Sequence, residues 1–194
     1  MLTDPATRAP VLVTVVASIA QGLFVVLFVF FVTDVLRGSE ADVGVLRGVQ
    51  AIGAIGAGVV LGTFGARLDV TRLTLTGVIG FAVVTVAVWN LAFATSAMPL
   101  YVVLFAVVGA PGVLMGAGLT SLLQRATDDG QRGTAFAALG LGQAGGQAIG
   151  LLAGGGLQET VGTLPLLEVQ AACYVVAALL AVVLLPTAGR AAAC

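Results

Sequence analysis

Hydrophobic positions in this chain come in six long runs, and most of its polar character sits in the short stretches between them. The runs cover roughly residues 10–35, 41–65, 73–94, 98–124, 133–156 and 164–186. Each reaches or exceeds the about 20 residues a helix needs to cross a hydrocarbon core. A segment in lipid must satisfy its backbone hydrogen bonds internally, so each run is expected to be helical throughout. The connections carry the start and stop signals. Ser39, followed three residues later by Asp42, reads as a cap for the second helix. Arg67, Asp69 and Arg72 separate the second and third helices, Met98 and Pro99 open the fourth, and Gly162 and Pro165 mark the turn into the sixth. Residues 124–133 form the most polar connection.

The expected fold is all-α and integral to the membrane, a single six-helix domain over residues 1–194. Glycine divides it further. The first three runs hold one, seven and two glycines; the fourth holds four, residues 140–156 alone hold eight, and the sixth run has none. Helices two and five are glycine-rich, while three and six are nearly bare. The chain therefore reads as two three-helix repeats, residues 10–94 and 98–186, although a glycine-rich membrane protein can show such a distribution by chance. Three is odd, so the second unit enters from the opposite side and the repeat is inverted, a construction recurrent among secondary transporters. Gly142, Gly146, Gly150 and Gly154 recur every fourth residue. In water each would cost about 1 kcal/mol relative to alanine. In lipid such a stripe lets another helix approach closely, and it reads as a contact surface.

Composition changes the picture mainly by exclusion. The chain is 59% hydrophobic and 9% charged, against about a quarter charged in soluble domains, so its solvent is the lipid bilayer. A net charge of −1 and the absence of any basic cluster exclude a nucleic-acid partner. Arg8 before the first run resembles the start of a signal peptide, but the run is too long and lacks a small-residue cleavage site, so it is read as a retained span. With no histidine and two cysteines, neither a serine–histidine pair, a metal site nor a disulfide framework can be assembled. The glycine-rich stretch lacks the Lys-Ser/Thr ending of a phosphate loop. No enzyme activity, cofactor or metal is expected.

An even number of spans puts both termini on one side. Arg8, Arg67, Arg72, Arg125, Arg132 and Arg190 fall on that side, with only Arg37 and Arg47 opposite. The excess of arginine predicts a multi-pass protein of the cell membrane with both termini cytoplasmic.

The six helices in inverted threes, the short basic connection after helix two and the Arg-Gly connection after helix four resemble one half of a major facilitator superfamily transporter. Of that family's pattern Gly-x-x-x-Asp-Arg-x-Gly-Arg-Arg, Gly62 and Arg67 match and Arg72 remains of the trailing pair. Ala66 replaces the Asp and Asp69 the second Gly. Residues 124–127 followed by Arg132 and Gly133 are similar to the connection between helices ten and eleven of exporters. Asp4, Pro5, Arg8 and Pro10 before a helix ending in Asp34 are similar to the lead-in to helix seven. The resemblance implies a C-terminal half in which helices one and four line a central cavity, two and five face the other half, and three and six face lipid. It implies efflux of a small-molecule substrate by alternating access, with an N-terminal half, a second copy or a separate half-transporter as partner. A relic or a helix-packing partner that moves no substrate is the other class of reading.

Several residues are candidates on their own chemistry. Thr14, Ser18 and Gln21 share one face of helix one, and either line a cavity or, for the two hydroxyls, bond carbonyls one turn back. Pro111 beside Gly109 and Gly112 is a gating hinge or a static bend. Gln143 and Gln147 touch substrate, clamp the other half, or bond between helices. Arg47 with Gln50 opens helix two; it serves substrate or gating, snorkels outward, or pairs with Asp34 or Asp42. Trp89 beside Asn90 reads as an interfacial anchor. No carboxylate lies at the midplane, since Asp34 and Glu168 fall near the outer ends, so a proton-coupling acid would belong to the other half.

Overall fold

A computed structural model describes residues 5–65 and 68–191. Six helices account for nearly all of them: α1 Pro5–Phe30, α2 Glu40–Phe64, α3 Val70–Leu91, α4 Met98–Arg125, α5 Arg132–Val161 and α6 Thr163–Ala191. All six are long and apolar enough to cross a membrane, and the chain is a multi-pass membrane protein.

The ends form for local reasons. The last turn of α1 widens into a π-helical turn, Phe31–Val35, and Arg37 then takes a left-handed φ of 57° to release the chain. Ser39 and Asp42 form a reciprocal capping box at the start of α2. Asp69, the residue that interrupts the loop pattern, caps α3 by accepting the backbone N–H of Arg72 at 2.7 Å. Gly162 alone joins α5 to α6, with a φ of 92° that a side chain would resist. α4 runs unbroken through Pro111.

Packing obeys a simple rule. α1 lies mainly on α5 and α6, α4 lies mainly on α2 and α3, and α3 touches α6. Exchanging α1 with α4, α2 with α5 and α3 with α6 maps these principal neighbours onto themselves, the pattern that an inverted three-helix repeat produces.

Two of the main crossings are made by glycine against backbone. A Cβ added at Gly22 would strike the Gln147 carbonyl oxygen and lie 2.8 Å from Leu151 N; one added at Gly150 would strike the Ile19 carbonyl oxygen and lie 2.8 Å from Leu23 N. At the equivalent α4–α2 crossing, Gly109 faces the Gln50 carbonyl oxygen and Gly53 that of Ala106. The four-residue stripe is thus a contact surface, but its partner is α1 of the same domain: Gly142 and Gly146 meet Val15, and Gly154 lies against Leu23 and Val26. The nearest surface able to use a side-chain-free stripe is within the chain, which corrects the expectation that these four glycines face another half. Other glycines do face outward. Gly44, Gly48, Gly56, Gly58 and Gly62 of α2 and Gly140, Gly145, Gly155 and Gly156 of α5 have nothing within 4 Å of an added Cβ.

The bundle has a terminal end, which holds residues 5 and 191, and a far end. An aromatic cluster of Phe24, Phe28, Phe31, Trp89, Tyr101 and Phe105 fills the far end with Leu27, Leu46 and Leu167. Phe31 meets Trp89 edge-on at 4.7 Å between ring centroids and Tyr101 at 5.6 Å. Toward the terminal end the packing passes to smaller residues, Ala9, Val13, Val78, Ala177 and Ala181 among them. Trp89 is 2% exposed, and its indole N–H donates to Oε1 of Gln170 at 2.7 Å. It ties α3 to α6 inside the bundle and is not an interfacial anchor, because Phe24, Phe31 and Phe105 surround its ring. Helices three and six do expose Val83, Leu179 and Val183, yet each buries a second face, with Thr74, Val78 and Ala82 on α3 and Ala171, Tyr174 and Ala177 on α6.

These contacts set the cost of small substitutions, measurable by reversible unfolding in mixed micelles. Gly150→Ala, which puts a methyl against backbone, is expected to cost about 1–3 kcal/mol, whereas Gly56→Ala, which meets nothing, is expected to be neutral or stabilising by up to about 1 kcal/mol. Trp89→Phe leaves the Gln170 oxygen buried without its donor and is expected to cost about 1–3 kcal/mol.

Candidate functional site

Gln21 stands where two spaces in the bundle meet. Toward the terminal end, α1, α4, α5 and α6 line a half-open cavity of about 200 Å³ bounded by Thr14, Ser18, Gln21, Thr120, Gln143 and Tyr174 together with Ala17, apolar residues of α4 and Leu139. Along the helices this cavity lies between the aromatic cluster at the far end and a small cluster of Leu123, Ala135 and Leu139 near the terminal end. On the other side of Gln21 is a small pocket of about 20 Å³, lined by Phe24, Gln50, Thr85, Trp89, Phe105 and Gln170 among others. That is room for about one water molecule.

The polar face of α1 is used in two ways at once. Thr14 Oγ1 donates to the Pro10 carbonyl and Ser18 Oγ to that of Thr14, each at 2.8 Å. Both hydroxyls are thereby satisfied inside the bundle and still form cavity wall. Gln21 Oε1 accepts from the Tyr174 hydroxyl at 3.3 Å, which leaves its amide N–H groups for a guest. Gln143 lines the same cavity. Gln147, one turn on, lies exposed and outside both spaces, and neither of these two side chains bonds a neighbouring helix among the described residues. Sequence reasoning missed Gln170 and Tyr174, which sit one turn apart in α6. Two polar groups at helical spacing in an otherwise apolar run were the available signal.

Arg47 takes none of the surface roles expected of it. Its guanidinium carbon lies 4.5 Å from the Phe24 ring centroid and 4.7 Å from that of Phe28, stacked on α1. Asp42 is engaged instead with Ser39, at 2.7 Å to its N–H and 2.8 Å to its hydroxyl, and Asp34 accepts from Thr33 at 2.9 Å. The expected pairing with either acid is therefore not formed.

Pro111 packs on α3, where Gly80 leaves space for its ring and Phe81 lies over Gly112. Of the loop residues, Gly62 faces open space, Arg72 is exposed, and Arg67 lies outside the described residues, as does Asp4. In the α4–α5 connection Arg132 pairs with Asp129 at 2.6 Å, both well exposed, a contact of little energetic weight. Gly133 has no neighbour within 4 Å of an added Cβ. Among the described residues no group of histidine, cysteine or acidic side chains is placed to hold a metal. At the far end Asn90 Nδ2 donates to Glu168 at 3.3 Å.

The geometry is that of a membrane helix bundle with a half-open cavity that carries polar groups from four helices, and two outward glycine-bearing faces. Comparison with curated proteins and with solved structures finds no match. The family model of the Major Facilitator Superfamily, a family of membrane transporters, matches residues 11–192, almost the whole chain. The chain belongs to the Major Facilitator Superfamily.

Proposed function

We propose that this chain is one six-helix half, the C-terminal one, of a small-molecule exporter of the cell membrane. The half forms one domain built of the repeats 10–94 and 98–186, with both termini cytoplasmic. It works by alternating access, rocking against a second six-helix unit about a shared central site. That unit is an N-terminal half, a second copy or a separately encoded half. The observation that carries this reading is the cavity beside Gln21, which gathers polar groups from four helices in a bundle whose core is mainly apolar. Polar groups are costly within lipid and ordinarily face a pathway or a partner. The open faces of α2 and α5 support the second unit. Ile52, Ile55 and Val59 on α2 and Leu141, Ile149 and Leu152 on α5 are between 60% and 77% exposed, interleaved with glycines that admit a close neighbour.

The test of transport is efflux of a panel of fluorescent dyes from cells stripped of their own exporters, with the chain produced alongside its second unit. Gln21→Leu is expected to lower efflux of a transported dye by about tenfold, as the loss of one polar contact implies, while assembly of the two units is unchanged. No efflux from an assembled pair would leave the helix-packing role in its place. The interface makes a separate prediction. The double variant Gly56→Leu with Gly145→Leu is expected to stay folded but lose co-purification with the second unit, whereas the buried stripe variant Gly146→Leu is expected to lose the fold itself.

A further inference from the structure

We infer that the groove between α3 and α6 seats one phospholipid, with an acyl chain in the groove and a primary-ammonium head group on Glu168 at the far end of the bundle. Neither transport nor a second unit is required for it.

The first observation is space. α3 and α6 leave between them an open groove of about 420 Å³, lined by aliphatic residues alone and by no other helix. Buried Ala82 and half-buried Ala178 give it depth, while Val83 and Leu179 stand 62% and 61% exposed. An apolar groove open to the bilayer offers water no partner, and left empty it would forfeit the contacts of its walls. Hydrocarbon fills it at no such cost.

The second observation is register. Ile79, Val83, Val86 and Asn90 recur at helical spacing along α3, and Glu168, Ala172, Val175, Leu179 and Val182 do so along α6. Each helix therefore carries its side of the groove and one polar residue on a single stripe. The two polar residues meet one turn beyond Val86, where Asn90 Nδ2 donates to Glu168 Oε1 at 3.3 Å. Exposed Ala172, with only a methyl group, keeps the stripe open between Glu168 and Val175. From Ile79 to Asn90 is about 16 Å along the helix, close to half of the about 30 Å hydrocarbon core. Groove and polar pair thus span one leaflet, as a single lipid does.

The third observation is charge. Glu168 forms no ion pair among the described residues. Beside its carboxylate the Asn90 carboxamide, whose N–H also reaches the Val86 carbonyl at 3.0 Å, brings a further acceptor in Oδ1. The far end as a whole carries Asp34, Glu40, Asp42, Glu159 and Glu168 against Arg37 and Arg47, which disfavours an anionic lipid there. A primary ammonium carries three N–H donors for these oxygens; a quaternary one carries the same charge and none. A protein helix fits less well, since it would cover Glu168 without a cation, and the glycines that admit a close helix lie open on α2 and α5 instead.

The test is retention of lipid by the full chain, released from mixed micelles that hold equal amounts of phosphatidylethanolamine, phosphatidylcholine and phosphatidylglycerol with identical acyl chains, and read by native mass spectrometry. One phosphatidylethanolamine is expected to be retained about fivefold over phosphatidylcholine, the worth of about one interfacial charge contact, with phosphatidylglycerol last. Glu168→Gln, which removes the charge and keeps an acceptor for Asn90, is expected to lose that preference with helix content unchanged, and Glu168→Asp to keep most of it. Val83→Ala with Leu179→Ala, which lowers two exposed walls, is expected to lose the retained lipid whatever its head group. Equal retention of the two zwitterionic lipids, a preference that survives Glu168→Gln, a preference for phosphatidylglycerol, or retention unchanged by the wall variant overturns the site. A dimer of the chain that the wall variant dissociates assigns the groove to a second copy and overturns it as well.

Discussion

Everything in this bundle depends on how closely two backbones can approach when no side chain stands between them. In lipid, apolar side chains gain nothing by leaving their surroundings for one another, so helices are held by packing, and packing is tightest where glycine meets a carbonyl. The chain makes that contact where α1 crosses α5, Gly22 with Gly150, and where α4 crosses α2, Gly109 with Gly53; Gly77 of α3 likewise meets the backbone of Leu114 and Met115 in α4. These crossings set the spacing of the two central helices from their flanking ones. The cavity beside Gln21 and the aromatic fill beyond it occupy the room that remains.

Polar side chains inside the bundle divide into two kinds. Thr14, Ser18 and Thr74 return their hydroxyls to their own helix, which satisfies them without fixing any neighbour. Trp89 with Gln170 and Tyr174 with Gln21 instead bond between helices, and so fix α3 and α1 against α6. None of the buried side-chain nitrogens and oxygens among the described residues lacks a partner. Against that background Gln21 and Gln50 keep spare amide donors beside the small pocket that both line, and Arg47 rests on Phe24 and Phe28 without an ion pair among the described residues.

Much of this was legible in the order of residues. Length and apolarity alone placed six helices, with ends off by up to five residues, at 10 for 5, 156 for 161 and 186 for 191, because lipid leaves the backbone no alternative. Ser39 and Asp42 announced a cap through chemistry that is local to one turn. The glycines of the second and fifth runs announced close crossings, which α2 makes with α4 and α5 with α1. The family pattern rested on loop residues such as Gly62, Arg72, Arg132 and Gly133, which remain exposed and need no fold to be read.

What the tertiary structure decided were the partners. A glycine stripe states that something approaches closely; only the fold shows that for Gly142 to Gly154 the neighbour is α1 of the same chain and that a different set of glycines faces outward. Trp89 near a helix end reads as an anchor until the rings of α1 and α4 are seen to enclose it. Arg47 has acids nearby in sequence, yet it rests on two rings from another helix. Periodicity along a chain fixes which residues share a face, but the distance between two faces is set by helix crossings far apart in sequence, and that is where the cavity arises.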